Sequence, residues 1–82
     1  MPVDWRTVIT LNPEVLAGKP TIRGLRVGVE QILRSMSSGQ SVADILKEYP
    51  DLHSGDIAAC QAYAADLIAS ERVYPMSVGK SE

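Results

Sequence analysis

Apolar positions recur along residues 29–36 at the spacing of one helix face, with Val29, Ile32, Leu33 and Met36 at i, i+3, i+4 and i+7. Gly39 stands where a left-handed helix cap belongs, so a first helix is predicted over 29–38. The pattern restarts with Val42, Ile45, Leu46 and Tyr49. Just before it, Ser41 and Asp44 have the S-x-x-D spacing in which a hydroxyl caps free backbone N–H groups and an acid reaches back. Pro50 pushes Tyr49 out of the helical region, which limits the second helix to 42–48. Ile57, Cys60, Ala64, Leu67 and Ile68 then define one face of a third helix over 54–70, with that face expected in the core. So short a link between helices two and three forces them to cross, which reads as a helix-turn-helix.

The first 28 residues follow a different pattern. Val8 to Leu11 is β-branched and apolar and is closed by Asn12-Pro13, the signature of a short strand and a turn. Gly18-Lys19-Pro20 marks a second turn, and Thr21 to Val27, with Gly24 in its middle, is either a tight hairpin or a bulged strand. The expected fold class is mainly α: a three-helix helix-turn-helix bundle with a short N-terminal strand pair, forming one domain over 1–73. Residues 74–82 hold Pro75 and Gly79 without periodicity and are expected to be a tail that orders on a partner.

An 82-residue chain has room for one small core, and with no Phe that core must be built from Ile, Leu, Val and Ala. So thin a core makes oligomerisation a source of stability, and a homodimer is expected. Cys60 stands alone, Met1 to Leu11 contains no run resembling a signal peptide, and no segment reaches the roughly 20 apolar residues of a membrane helix, so a cytoplasmic protein is expected. The formal net charge of −2 is unevenly spread. Residues 1–40 carry five basic against three acidic side chains, and residues 41–82 carry three against seven. The helix-turn-helix half is the acidic one.

That asymmetry decides which surface could meet nucleic acid. A helix-turn-helix reads DNA with its second helix in the major groove, using Arg, Lys, Asn or Gln on bases and cations on phosphates. Between Ser54 and Ser70 there is no Lys or Arg, and Asp56 and Asp66 would face phosphates with the wrong sign. Opposite the apolar stripe, helix three offers Gly55, Ala58, Ala59, Ala62, Asp66 and Ala69, a small-residue face suited to close protein packing, or else an inert Ala-rich surface. With Tyr74 in the tail, these residues are the expected partner contacts. Lys19, Arg23 and Arg26 beside the strands and Arg34 on helix one are the candidates for DNA phosphates. The alternatives are surface charges paired with Glu14 or Glu30, or cations that dock an acidic protein. Trp5, like Tyr74 near a chain end, either buries against helix ends or marks a second chain.

Two pairs resemble catalytic or metal sites. Asp44 and Glu48 lie four apart but beside Lys47 and without a third ligand, which is the pattern of a solvated helix face. His53 and Cys60 flank a helix start, and Cys60 belongs to the core stripe, so a thiol nucleophile is not expected. With no nucleophile elbow, phosphate-binding glycine loop or zinc spacing, neither an enzyme nor a metal or other cofactor is expected.

The order Gly18-Lys19-Pro20-x-Ile22-x-Gly24-x-Arg26-Val27, then Ile32-Leu33, Gly39-x-Ser41, Ile45-Leu46-x-x-Tyr49-Pro50-x-Leu52, Asp56-Ile57 and Tyr63-Ala64, resembles the bacterial family called domain of unknown function 433. The resemblance covers roughly residues 8–65. It implies a homeodomain-like or winged-helix-like fold preceded by short strands. It also implies an antitoxin of a type II toxin–antitoxin pair, whose partner is a small PIN-like ribonuclease. The expected antitoxin covers that nuclease with the Ala-rich face of helix three or the tail from Tyr74, and binds its own promoter through Arg23, Arg26 and Arg34. A stand-alone transcription regulator and a dimerisation module without DNA binding are the alternatives. The chain departs from the family pattern in two places. Leu25 replaces a Thr, removing any hydroxyl contact there, and His53 stands where a Thr or Ser would cap helix three, at a cost of about 1 kcal/mol unless Ser54 takes over.

Overall fold

A computed structural model describes residues 4–71. Two two-residue strands, β1 (Ile9–Thr10) and β2 (Thr21–Ile22), pair antiparallel with Ile9 opposite Ile22 and Thr10 opposite Thr21. Three helices follow, α1 (Val29–Ser37), α2 (Val42–Glu48) and α3 (Ser54–Glu71), each packed on the other two. The protein is mainly helical, with its small sheet near the N-terminus. No helix among the described residues is long and apolar enough to cross a membrane.

Of the two readings of residues 21–27, the structure shows the hairpin. Arg23 and Gly24 have φ of 47° and 74°, and the Leu25 N–H donates to the Ile22 carbonyl at 2.8 Å. Positive φ at both central residues belongs to the type I′ turn, whose twist matches paired strands, and Gly24 adopts it without a Cβ penalty. The chain then returns past Ile22, whose N–H bonds the Val27 carbonyl, and α1 begins at once.

The helix ends form where local chemistry put them. After α1, Gly39 has φ of 102°, its N–H bonds the Met36 carbonyl, and the Gln40 N–H bonds the Ser35 carbonyl, a full Schellman cap. At α2 the Ser41 hydroxyl accepts from the Asp44 N–H at 3.1 Å while the Asp44 carboxylate accepts from the Ser41 N–H at 3.2 Å. Asp44, half of the candidate acid pair, is thereby a capping residue. α3 starts differently from expectation. Asp56, three residues in, accepts from the His53 N–H at 2.8 Å, the acid half of a capping box whose hydroxyl half His53 does not supply.

The core is a cluster of Ile9, Ile22, Val29, Ile32, Ile45, Leu52, Ile57, Ala59 and Cys60, which joins the strands to all three helices. The third helix corrects the expected stripe at its far end. Cys60 is buried, but Leu67 is 43% and Ile68 58% exposed. Among the described residues, α3 runs on past the elements that cover its first half. Ala59, expected on the outward face, is fully buried in the core, because the buried arc of α3 extends around to it. Trp5, in a 3-10 turn at Trp5–Thr7, packs on α3: its ring meets Tyr63 edge-on at 4.8 Å and its indole N–H donates to Asp66 at 2.7 Å.

Candidate functional site

The four candidate cations prove to have different jobs. Arg23 sits at the turn after β2, held with φ of 47°, and its side chain crosses to the start of α3. Its Nε lies 3.1 and 3.3 Å from the two oxygens of Asp56, and its Nη2 lies 3.0 Å from Oδ2 and also donates to the Asp51 carbonyl. Asp56 is buried, with a side chain only 5% exposed, against 36% for Arg23. Burial alone pushes the Asp56 carboxyl up; the Arg23 hydrogen bonds, the His53 N–H and the Arg23 charge outweigh it and hold the group below its ordinary value. Arg23 is therefore a clamp between the N-terminal hairpin and the helix-turn-helix, with most of its donors turned inward. Neither Arg23 as a phosphate ligand nor Asp56 as an outward acid describes their placement.

Lys19 and Arg34 share one acid. Lys19 Nζ is 3.7 Å and Arg34 Nε 2.9 Å from the carboxylate of Glu30, all three groups being well exposed. The Arg34 hydrogen bond, then the Lys19 and Arg34 charges, lower the Glu30 carboxyl below its usual range. Such exposed pairs contribute little stability. Arg26 is exposed and makes no ion pair with the described residues.

The Lys19, Glu30 and Arg34 group lines a groove of about 1000 Å³ between α1 and α3, walled by Leu16, Leu33, Tyr63 and Leu67. Three consecutive residues of its loop wall, Leu16, Ala17 and Gly18, have φ of 50°, 57° and 83°. Left-handed backbone at two side-chain-bearing residues is strained, and such strain gathers at ligand clamps. Gly28 lies beside this loop, where a Cβ would stand 3.4 Å from the Leu16 side chain, in ordinary contact. The groove was not visible in the sequence, because its walls come from three separate segments. Only the Gly18-Lys19-Pro20 turn signal pointed to a bend there.

On α3 the expected partner residues are divided by burial. Ala58 and Ala62 are half-buried, Ala69 is exposed, Asp66 is exposed and bonded to Trp5, and Ala59 lies in the core. Tyr74 and the tail over 74–82 lie outside the described residues. The Cys60 thiol, desolvated and facing the Asp56 charge, is pushed up to about 11, which keeps it protonated and unreactive near neutral pH.

Residues 9–64 match the model of the family described as protein of unknown function (DUF433). The chain belongs to this family. Arg23, Asp56 and most of the groove fall inside the DUF433 segment, and Leu67 and Ile68 lie just beyond it. The chain is also similar to the uncharacterized protein y4eO of Sinorhizobium fredii (strain NBRC 101917 / NGR234), at 36% identity over 59 residues. That alignment covers 72% of this chain and 27% of the relative, so the chain spans about a quarter of the relative's length. No solved structure matches it.

Proposed function

We propose that this DUF433 chain is a non-catalytic antitoxin that acts by covering a protein partner, for which the family resemblance suggests a PIN-like ribonuclease. The observation that carries this reading is α3, which turns half-buried Ala58 and Ala62 and exposed Ala69 away from the core and has no Lys or Arg between Ser54 and Ser70. A helix that is apolar, small-surfaced and free of cations suits protein contact far better than phosphate contact. The nuclease contact is assigned to the outward side of α3, at Ala58, Ala62 and Ala69. Co-expression with the reading frame beside its gene, followed by co-purification, tests the reading. A complex is expected, and Ala69→Arg, at an exposed position, should weaken it about tenfold or more by placing a bulky charge in the contact. Failure to recover any complex, or a complex indifferent to Ala69→Arg and Ala62→Arg alike, would overturn it.

Promoter DNA is the lesser ligand in this reading. Of the four candidate cations, with Arg23 on Asp56 and with Lys19 and Arg34 both on Glu30, Arg26 is the one without an acid partner among the described residues. A gel-shift series in salt should then give a log–log slope near one unit for the chain alone, since each neutralised phosphate contributes about 0.9. A slope above about three units would mean that the other cations leave their acids to bind phosphate. That result would favour the stand-alone transcription regulator.

A further inference from the structure

We infer that the groove between α1 and α3 seats a second copy of this chain, which lays the last turns of its own α3 there about a two-fold axis near Leu67 and Ile68. The inference rests on the reading of α3 as a protein-contacting helix and names what its other side contacts.

Leu16 (38% exposed), Leu67 (43%) and Ile68 (58%) account for three of the five large exposed apolar side chains among the described residues. Leu16 and Leu67 stand on opposite walls of the same groove. Ile68 follows directly on α3, and Ala64 and Ala65 one turn earlier are small enough for a second helix to approach closely. The charges complement each other as well. The groove rim carries Lys19 and Arg34 against the single Glu30, a net positive site. The described turns of α3 bring exposed Asp66 and, between Ser54 and Ser70, no Lys or Arg.

Those features fit a second copy better than an unrelated helix. One helix supplies both a wall of its own groove, through Tyr63 and Leu67, and an apolar, acid-bearing end that matches the rim of another. A two-fold rotation satisfies both copies at once, as an isologous interface requires. The nine buried apolar side chains among the described residues form a thin core, which pairing along these edges would extend. Leu16 and Ala17, strained into left-handed backbone, hold the loop wall in the position that such a partner would meet. Ala62 and Ala69 lie on the far side of α3 from Leu67 at 100° per residue, so a dimer leaves them open to the nuclease.

Two measurements on the full chain test the inference. Sedimentation equilibrium should show a dimer, and Ile68→Glu, at an exposed position that the monomer fold does not need, should raise its dissociation constant about a hundredfold with unchanged circular dichroism. Ile68→Cys should cross-link to a covalent dimer under mild oxidant, because the buried Cys60 does not compete. Ala43→Cys, exposed on α2, should not. A monomeric wild type, or a dimer that neither loosens with Ile68→Glu nor cross-links through Ile68→Cys, would overturn it. A dimer found with no nuclease complex sinks the proposed function alone, and a nuclease complex with a monomeric chain sinks the dimer alone.

Discussion

Asp56→Ala is expected to destabilise the protein by about 2–3 kcal/mol, a melting temperature lower by about 10–20 °C for a domain of this size. The carboxylate accepts from both Nε and Nη2 of Arg23 and from the His53 N–H, so its removal opens the hairpin clamp and the start of α3 together. Breaking a fully buried pair costs more than this. Here the Arg23 side chain is 36% exposed and can recover water, which reduces the penalty. Thermal melting of the variant checks the figure, and a loss below about 0.5 kcal/mol would show that the clamp carries no stability.

The same pair sets an acid limit. Asp56 has a folded carboxyl below its ordinary value, so the unfolded chain takes up the proton more readily. Its stabilisation is therefore complete above the unfolded value of about 4 and is lost as the pH falls through the lower folded value. Glu30, lowered by Arg34 and Lys19, titrates in the same direction. Asp56→Asn removes only the first contribution. Its stability should be lower than wild type at neutral pH, and the two curves should converge below about pH 4.

The clamp also marks where sequence reasoning stopped. Helix boundaries were legible because the signals are local: Ser41 and Asp44 cap each other, Gly39 takes the left-handed cap, and Pro50 follows the last residue that α2 can use. Gly24 likewise announced a turn, though not which kind. Arg23 and Asp56 are 33 residues apart, and neither carries any local sign of the other. Charge counting therefore set both on the surface. Periodicity gave the phase of α3 correctly, placing Cys60 inside, but phase does not say where neighbouring elements end. Leu67 and Ile68 lie on or beside the predicted stripe and are still exposed, while Ala59 is buried at the stripe's margin. The groove had no sequence signature because it needs Leu16, Leu33 and Leu67 brought together from three segments. The Lys19 and Glu30 pair was the legible part of that surface, as one of the acids weighed for it.

α2 supplies the second large effect, because a seven-residue helix cannot hold itself together in water and must be held by what it buries. Ile45 is its one fully buried side chain, at 0% exposure, with Leu46 and Tyr49 partly buried beside it. Ile45→Ala should cost about 3–4 kcal/mol, transfer loss plus cavity, whereas Ile45→Val should cost about 1 kcal/mol. Against a total stability of about 4–12 kcal/mol for 82 residues, the alanine variant approaches the unfolding threshold. Val42, 39% exposed at the first position of the same helix, should lose under about 0.5 kcal/mol on replacement by Ala. Urea midpoints rank the three, and hydrogen exchange separates two outcomes for Ile45→Ala. If all three helices lose protection together, the crossing at Tyr49 and Pro50 is part of one cooperative core. If α2 alone opens while α1 and α3 stay protected, the two-helix platform that walls the groove folds without the turn, and the helix-turn-helix is an attachment to it.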